Sequence, residues 1–239
     1  MISVCVPTFN GAPYIAAQLA SILRSPRVSE VLVSDDGSTD GTLDVLRAIG
    51  DARVQVIDGP RRGLIRNYEA LLARARGEFV FLADQDDVWL PGKVETMVAH
   101  LENADLVVSD CTVTDVDLAV VNPSFFALRR SGPGLLRNLL RNSYLGCCMA
   151  MRRDLLRHAL PFPERLPMHD WWLGLVGETF GRVAFIPEKL VLYRRHGANM
   201  STTASPSEAA WAVRIRWRLT LVAALVGRRF GIRRRHAVE

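Results

Sequence analysis

Three observations predict an α/β fold, with a mostly parallel central sheet and helices on both faces. Short β-rich apolar runs alternate with amphipathic stretches through residues 1–101. Polar loops rich in Asp, Ser, Thr and Gly follow three of the first four runs. The fourth run, residues 79–83, is apolar almost throughout, as a strand covered on both faces requires.

Residues 2–7 read as the first strand and end in Pro7-Thr8-Phe9-Asn10-Gly11. A helix from Pro13 then puts Ile15, Leu19, Ile22 and Leu23 on one stripe. Residues 31–33 form the second strand, closed by Ser34-Asp35-Asp36-Gly37-Ser38-Thr39-Asp40-Gly41, and Leu43, Leu46 and Ile49 mark its helix. Residues 54–57 give a third strand, 63–76 a helix containing Asn67, 79–83 a fourth strand and 91–101 a fourth helix. Beyond this the elements shorten. Extended pieces are expected at 106–109, 111–116 and 118–121, a loop at 123–134, a helix at 135–140, a strand at 145–151 and a helix at 152–159. A helix opens at Met168-His169-Asp170-Trp171-Trp172 and runs to about residue 180, followed by strands at 183–186 and 189–194.

The 239 residues, 49% of them hydrophobic, suffice for one large core. No basic region precedes the first apolar run and no run approaches the roughly eighteen residues of a membrane span, so a cytoplasmic protein without a secretory leader is expected. Cys5, Cys111, Cys147 and Cys148 lack metal-type spacing and are expected to be reduced, structural thiols. The net charge of +5 is concentrated at one end: residues 201–239 hold eight Arg against two Glu, or +6, which leaves −1 for residues 1–200. That distribution argues against a nucleic-acid groove and for local contact with an anionic surface. Within the tail, Trp211, Ile215, Trp217, residues 219–226 and Phe230 occur among the arginines. This composition suits a basic amphipathic helix lying in a membrane interface, with a helix docked on the body or an oligomer contact as alternatives.

Ligands of open parallel sheets sit beyond the carboxyl ends of the strands. The polar loops 8–11, 35–40 and 84–87 share that edge. In Asp84-Gln85-Asp86-Asp87 three carboxylates repel one another, and a hard divalent cation such as Mg2+ or Mn2+ relieves the repulsion while leaving places for a diphosphate. The structural alternative makes these residues turn formers and helix caps. Asp170 stands directly before an apolar helix, where it is either a cap or, beside an aromatic wall, a general base. The paired tryptophans point in different directions on a helix, which places one in the core and one toward a cleft. Gly146, in a sulfur-rich apolar run, permits close approach of a ligand or another backbone. His196 follows the last strand in a polar loop, within reach of a metal or phosphate.

Five motifs in register, 7–11, 34–40, 84–89, His169-Asp170-Trp171-Trp172 and Tyr193-Arg194-Arg195-His196-Gly197, resemble family 2 glycosyltransferases. The similarity is greatest to bacterial rhamnosyltransferase-type members acting on cell-surface polysaccharides. It spans residues 1 to about 203, divided into a nucleotide-binding half (1–104) and an acceptor-binding half (105–203), with 204–239 as the basic tail. The resemblance implies a GT-A fold and an inverting, metal-dependent reaction. Pro7, Thr8, Asn10, Asp35, Asp36, Asn67, Asp84 and Gln85 would hold the donor. Asp86 would be the main metal ligand, with Asp84 beside it and His196 closing over the diphosphate. Asp170 would be the catalytic base, and Gly146, Trp171 and Trp172 would line the acceptor site. Implied partners are dTDP-rhamnose or a UDP-sugar, a lipid-linked saccharide acceptor, and the anionic inner face of the cell membrane. Nucleotidyl transfer and a non-catalytic membrane scaffold are the competing functions. No Gly-rich, Lys-containing phosphate loop supports the former, and the intact carboxylate set argues against the latter.

Overall fold

The computed structural model describes residues 1–196 and 211–231. The motif residue Gly197, the boundary at 203/204 and the last arginines of the tail lie outside the described residues.

β1 (Ile2–Thr8) and β2 (Glu30–Asp35) are buried at every position, which only a strand covered on both faces can be. Between and after them run α1 (Ile15–Leu23), α2 (Thr42–Ala48), β3 (Val54–Asp58), α3 (Leu64–Arg74) and β4 (Phe79–Leu82). β1, β2, β3 and β4 pair in parallel, in the order β3-β2-β1-β4, as the alternating pattern predicts. β3 is the edge and keeps exposed side chains.

The acidic loop after β4 leads into β5 (Val88–Trp89), a two-residue strand that the sequence pattern does not mark, and then α4 (Lys93–Leu101). β6 (Leu106–Thr114) is one strand where two pieces are expected, because irregularities at Ser109 to Thr112 interrupt its apolar pattern without ending its pairing. β7 (Val120–Asn122) pairs with β6, and α5 (Phe125–Arg129) occupies the expected loop, capped by Ser124 Oγ accepting from Ala127 N. After α6 (Leu135–Leu140), a 3-10 turn over Gly146–Cys148 takes the first part of the expected strand, leaving β8 (Met149–Arg152). α7 (Leu156–Ala159) and α8 (His169–Phe180) follow, then β9 (Val183–Arg194), again one strand in place of two. The far half of the sheet, β4-β8-β6-β9-β5, is mixed, with β6 and β9 parallel and the other neighbours antiparallel.

One hydrophobic cluster joins Val4, Leu19, Val33, Leu71, Phe81, Val108, Met149 and Trp172 across this sheet. All four cysteines are buried and unbridged. α9 (Trp211–Arg229) lies against α6 and α8, burying Leu221 and Leu225, so the basic tail helix docks on the body along one side.

The segment before α8 is held from two sides. Arg66 on α3 donates to the carbonyls of Phe162, Pro163 and Glu164 at 3.3, 3.0 and 2.9 Å, and Glu69 Oε1 accepts from Phe162 N at 2.6 Å. Arg228 of α9 donates to Leu160 O at 3.1 Å and to Pro161 O. Arg66→Ala, which leaves three carbonyls and Glu69 without this donor, is expected to cost about 2–4 kcal/mol in urea unfolding. A loss within experimental error would show that the segment is positioned by packing alone.

Candidate active site

The carboxyl end of β1 is joined to the acidic loop after β4 by Gln85. Thr8 Oγ1 and Phe9 N donate to Gln85 Oε1 at 2.6 and 2.9 Å, and Gln85 Nε2 returns a hydrogen bond to Phe9 O at 3.1 Å. This clamp needs Gly11, where a Cβ would stand 2.3 Å from Gln85 Oε1. Asn10 turns the chain with φ 50°, accepting from Thr39 N through Oδ1 and donating its own N to Ser38 Oγ, both at 2.8 Å. Asp35 accepts from Gly37 N, Ser38 N and Ser38 Oγ. Asp36 accepts from Arg61 N and Gly63 N at 2.6 and 2.7 Å, tying the start of α3 to the same edge. The two aspartates therefore do form turns; Asp35 Oδ1 is filled by two amides, while Asp35 Oδ2 and both Asp36 oxygens keep further acceptor capacity. Pro7 is buried beside Ser34 in the β1–β2 register. Asn67 lies deeper, 1% exposed, donating to Ser34 O at 2.8 Å while its Oδ1 has no hydrogen-bond partner.

At the end of β4 the three acids diverge. Asp84 accepts from Tyr68 OH at 2.7 Å, and Gln18 Nε2 donates to its carbonyl at 2.9 Å. Its carboxyl is pushed up to about 7 by burial and by the charge of Asp86, with the Tyr68 hydrogen bond pulling the other way. Part of Asp84 still meets open space, which moderates the contribution of burial. Asp86 Oδ2 lies 2.8 Å from His196 Nε2, and the His196 ring stacks on Tyr14 with centroids 5.1 Å apart. Asp87 points inward, where Oδ1 accepts from Arg194 N at 2.9 Å and buried Oδ2 has no hydrogen-bond partner. Burial and the charges of Asp86 and Asp84 raise its carboxyl above the ordinary range. Lys93, 1% exposed, sits beneath this group, donating to Cys147 O at 3.0 Å over the Trp89 ring. Burial lowers its ammonium and nearby negative charge, Asp87 included, sustains it.

These donors fit a hard divalent cation. Ligand atoms of Asp84, Asp87 and Cys147 lie within 4.8 Å of one another, and an unpaired buried carboxylate oxygen faces inward among them. Burial raises the Cys147 thiol, so it stays protonated and contributes little as a ligand, which leaves oxygen donors to do the holding. The sequence expectation of Asp84, Asp86 and His196 differs from this set by placing Asp86 and His196, here paired with each other, at the ion.

Asp170 lies in the first turn of α8, 3% exposed, accepting from Trp171 N at 2.5 Å. Burial, and then the charge of Asp84, push its carboxyl up to about 7 against hydrogen bonds from the Trp171 and Gly146 backbone and the Asn142 side chain. A carboxylate so poised can take a proton at neutral pH. The tryptophans require a correction. Trp171 is 7% and Trp172 0% exposed, and their indole nitrogens donate to Asn138 O at 2.7 Å and Ala159 O at 3.0 Å. Neither faces an open cleft, because each N–H is satisfied by a carbonyl inside the fold. What comes close to Gly146 is His169, whose Nε2 would lie 2.7 Å from a Cβ there. His169 stacks on Tyr68 with centroids 4.0 Å apart, both ring nitrogens lack hydrogen-bond partners, and burial lowers it to about 3, so it is neutral. His169, Tyr68, Gln18, Tyr14, Arg194 and Lys93 thus belong to the site without having been singled out for it. His169 and Arg194 lie inside motifs legible in the sequence, beside Asp170 and His196, whereas the others converge only through the fold.

The model of the family described as glycosyl transferase family 2 matches residues 3–160. An uncharacterised glycosyltransferase of Nostoc sp. is 26% identical over 223 residues, 87% of this chain and 69% of its own length. The UDP-Glc:alpha-D-GlcNAc-diphosphoundecaprenol beta-1,3-glucosyltransferase of Escherichia coli is 23% identical over 179 residues, 73% of this chain and 68% of its own. TarS of S. aureus in complex with UDP-GlcNAc superposes with a TM-score of 0.67 at 20% identity, over 98% of this chain and 74% of that one. The mannosyltransferase PcManGT from Pyrobaculum calidifontis, in complex with GDP-Man and Mn2+, gives 0.63 at 23% identity, over 94% and 64%.

The raised Asp170 carboxyl has a thermodynamic signature. Its folded value of about 7 exceeds the ordinary 3.8, so between the two the folded state keeps a proton the unfolded state has lost, and stability falls as pH rises through that window. Asp170→Asn is therefore expected to melt higher than the parent at about pH 8, with the gain shrinking towards about pH 4. Calorimetric scans across that range check it, and a variant that melts lower at the alkaline end would contradict burial as the cause.

Proposed function

Because the chain belongs to glycosyl transferase family 2, we propose that it is an inverting, divalent-metal-dependent glycosyltransferase with Asp170 as its base. The observation that carries this reading is the placement of a buried carboxyl raised to about 7, Asp170, where it feels the charge of Asp84 at the strand-end acidic cluster. One centre suits proton acceptance and the other suits a cation–diphosphate. Thr8, Asn10, Asp35, Asp36 and Gln85 form the hydrogen-bonded edge offered to the nucleoside, with Pro7 and Asn67 supporting it from β1 and α3. Residues 1–104 contribute that edge and residues 105–203 the acceptor side.

Bound Mg2+ or Mn2+ at Asp84, Asp86 and His196, with Asp87 behind them, would neutralise charge on the departing diphosphate. The acceptor hydroxyl attacks the anomeric carbon from the face opposite the diphosphate and gives its proton to an Asp170 oxygen. The bond from that carbon to the diphosphate oxygen breaks with its electron pair going to the oxygen, so configuration inverts. His169, neutral and buried beside Gly146, adds no positive charge next to Asp170 and shapes the pocket wall. Trp171 and Trp172 support the acceptor side from beneath.

For the donor, dTDP-rhamnose and UDP-hexoses are the candidates, since thymine and uracil present the same hydrogen-bonding edge. The E. coli relative named for UDP-Glc and the TarS complex with UDP-GlcNAc support the uridine side. The same relative's diphosphoundecaprenol substrate supports a lipid-linked saccharide acceptor, and with such an acceptor the reaction would run at the inner membrane face, in polysaccharide biosynthesis such as that of O-antigen.

Asp170→Asn is expected to bind nucleotide sugar and metal as the parent does while losing about a hundred- to ten-thousand-fold in transfer rate. In the parent, turnover should fall about tenfold per pH unit below about 7, as the base becomes protonated. Transfer of radiolabelled sugar measures both, and near-normal transfer by the variant would remove Asp170 from the mechanism. Asp86→Ala should lose metal-dependent nucleotide binding in titration calorimetry; unchanged binding would move the cation elsewhere.

A further inference from the structure

α9 carries an exposed apolar stripe. Trp211, Ile215, Leu219, Val222, Val226 and Phe230 recur at helical spacing and are all exposed, Trp211 at 78% and Phe230 at 74%. Neighbouring α6 continues the surface with Leu135, Leu136 and Leu140, at 39, 69 and 57% exposure. The two helices are joined by Arg218, which donates to Leu140 O and lies 6.0 Å over the Trp171 ring.

Charge around this surface is of one sign. Residues 118–153, which include α6, hold six Arg and no Asp or Glu, and the described tail residues, 211–231, hold five Arg and no Asp or Glu. Arg130, Arg137, Arg141, Arg216 and Arg229 are exposed. Glu178, which meets α6 from below, is turned inward to Gly134 N and Tyr144 OH at 2.7 and 3.0 Å. No helix among the described residues is long and apolar enough to cross a membrane.

We propose that α6 and α9 together form a single seating face for an anionic lipid bilayer, with the apolar stripe in the acyl boundary and the arginines among the headgroups. A second copy of the chain fits this face poorly, because a two-fold contact would set arginines against arginines with no acid between them. The face also reaches the site. Asn138 O of α6 accepts from the Trp171 indole, and the Asn142 side chain just beyond α6 bonds Asp170, so seating α6 holds the base near the bilayer surface. The placing of the base near the bilayer rests on the transferase reading; the seating itself does not.

Vesicle co-sedimentation of the full chain tests the proposal, using phosphatidylcholine alone and phosphatidylcholine with phosphatidylglycerol. The expected result is binding to the anionic vesicles that high salt weakens. Leu136→Glu with Leu140→Glu on α6, and Leu219→Glu with Val222→Glu on α9, should each lower it about tenfold or more. These positions are exposed, and an unchanged melting curve certifies the fold of each variant. Parental binding by the α6 variant would overturn the shared face, and equal binding to neutral vesicles would overturn the role of the arginines. Absence of vesicle binding, or a dimer in light scattering that both variants dissolve, would replace the bilayer by a protein partner. Nucleotide binding on the same samples separates the two readings: a chain that binds vesicles but no nucleotide loses the transferase and keeps the face.

Discussion

Like charges withdrawn from water repel, and the end of β4 gathers Asp84, Asp86 and Asp87, of which Asp84 also acts on Asp170. Each acid is relieved by a different part of the chain. Tyr68 of α3 donates to Asp84, His196 beyond β9 meets Asp86, and the Arg194 amide meets Asp87 while buried Lys93 of α4 lies beneath. The acidic loop is therefore a convergence point for elements distant in sequence. Loss of any one partner leaves a buried carboxylate without its offset, a larger penalty than the hydrogen bond itself contributes. The repulsion that remains is what a cation would remove.

The strand-end aspartates divide into two kinds. Asp35 and Asp36 spend their oxygens on backbone amides and so shape the loop that a nucleoside would meet. Asp84, Asp87 and Asp170 are instead pushed toward their protonated forms by burial, and their worth is chemical rather than architectural. Gln85 stands between the kinds, closing the first loop onto the fourth through Thr8 and Phe9. A site assembled this way trades stability for poise, since every buried acid raised in this manner favours an uncharged fold.

The first four strands and their helices were legible because a fully buried parallel strand writes an uninterrupted apolar run and its loop writes turn residues. The far half was less so. β6 and β9 contain irregularities that break the two-residue period without breaking the strand, β5 is too short to carry a pattern, and α5 is a single capped turn or so inside a Pro- and Gly-bearing stretch. Asp170 was legible as a carboxylate before an apolar helix. The burial of both tryptophans was not, because only the fold reveals that Asn138 and Ala159 present carbonyls to their indoles. His169 was hidden for a similar reason: its ring is housed by the absence of a side chain at Gly146, far away in sequence.

The most direct measurement is the thermal stability of the purified chain with nucleoside diphosphates and nucleotide sugars, each with and without Mg2+ or Mn2+. Ligand at about a hundred times its dissociation constant adds about 2.7 kcal/mol, a readily seen shift. A UDP- or dTDP-sugar is expected to stabilise the protein only when the cation is present. Stabilisation by the nucleotide sugar that is the same without any divalent cation, or none by any of them, would contradict this expectation.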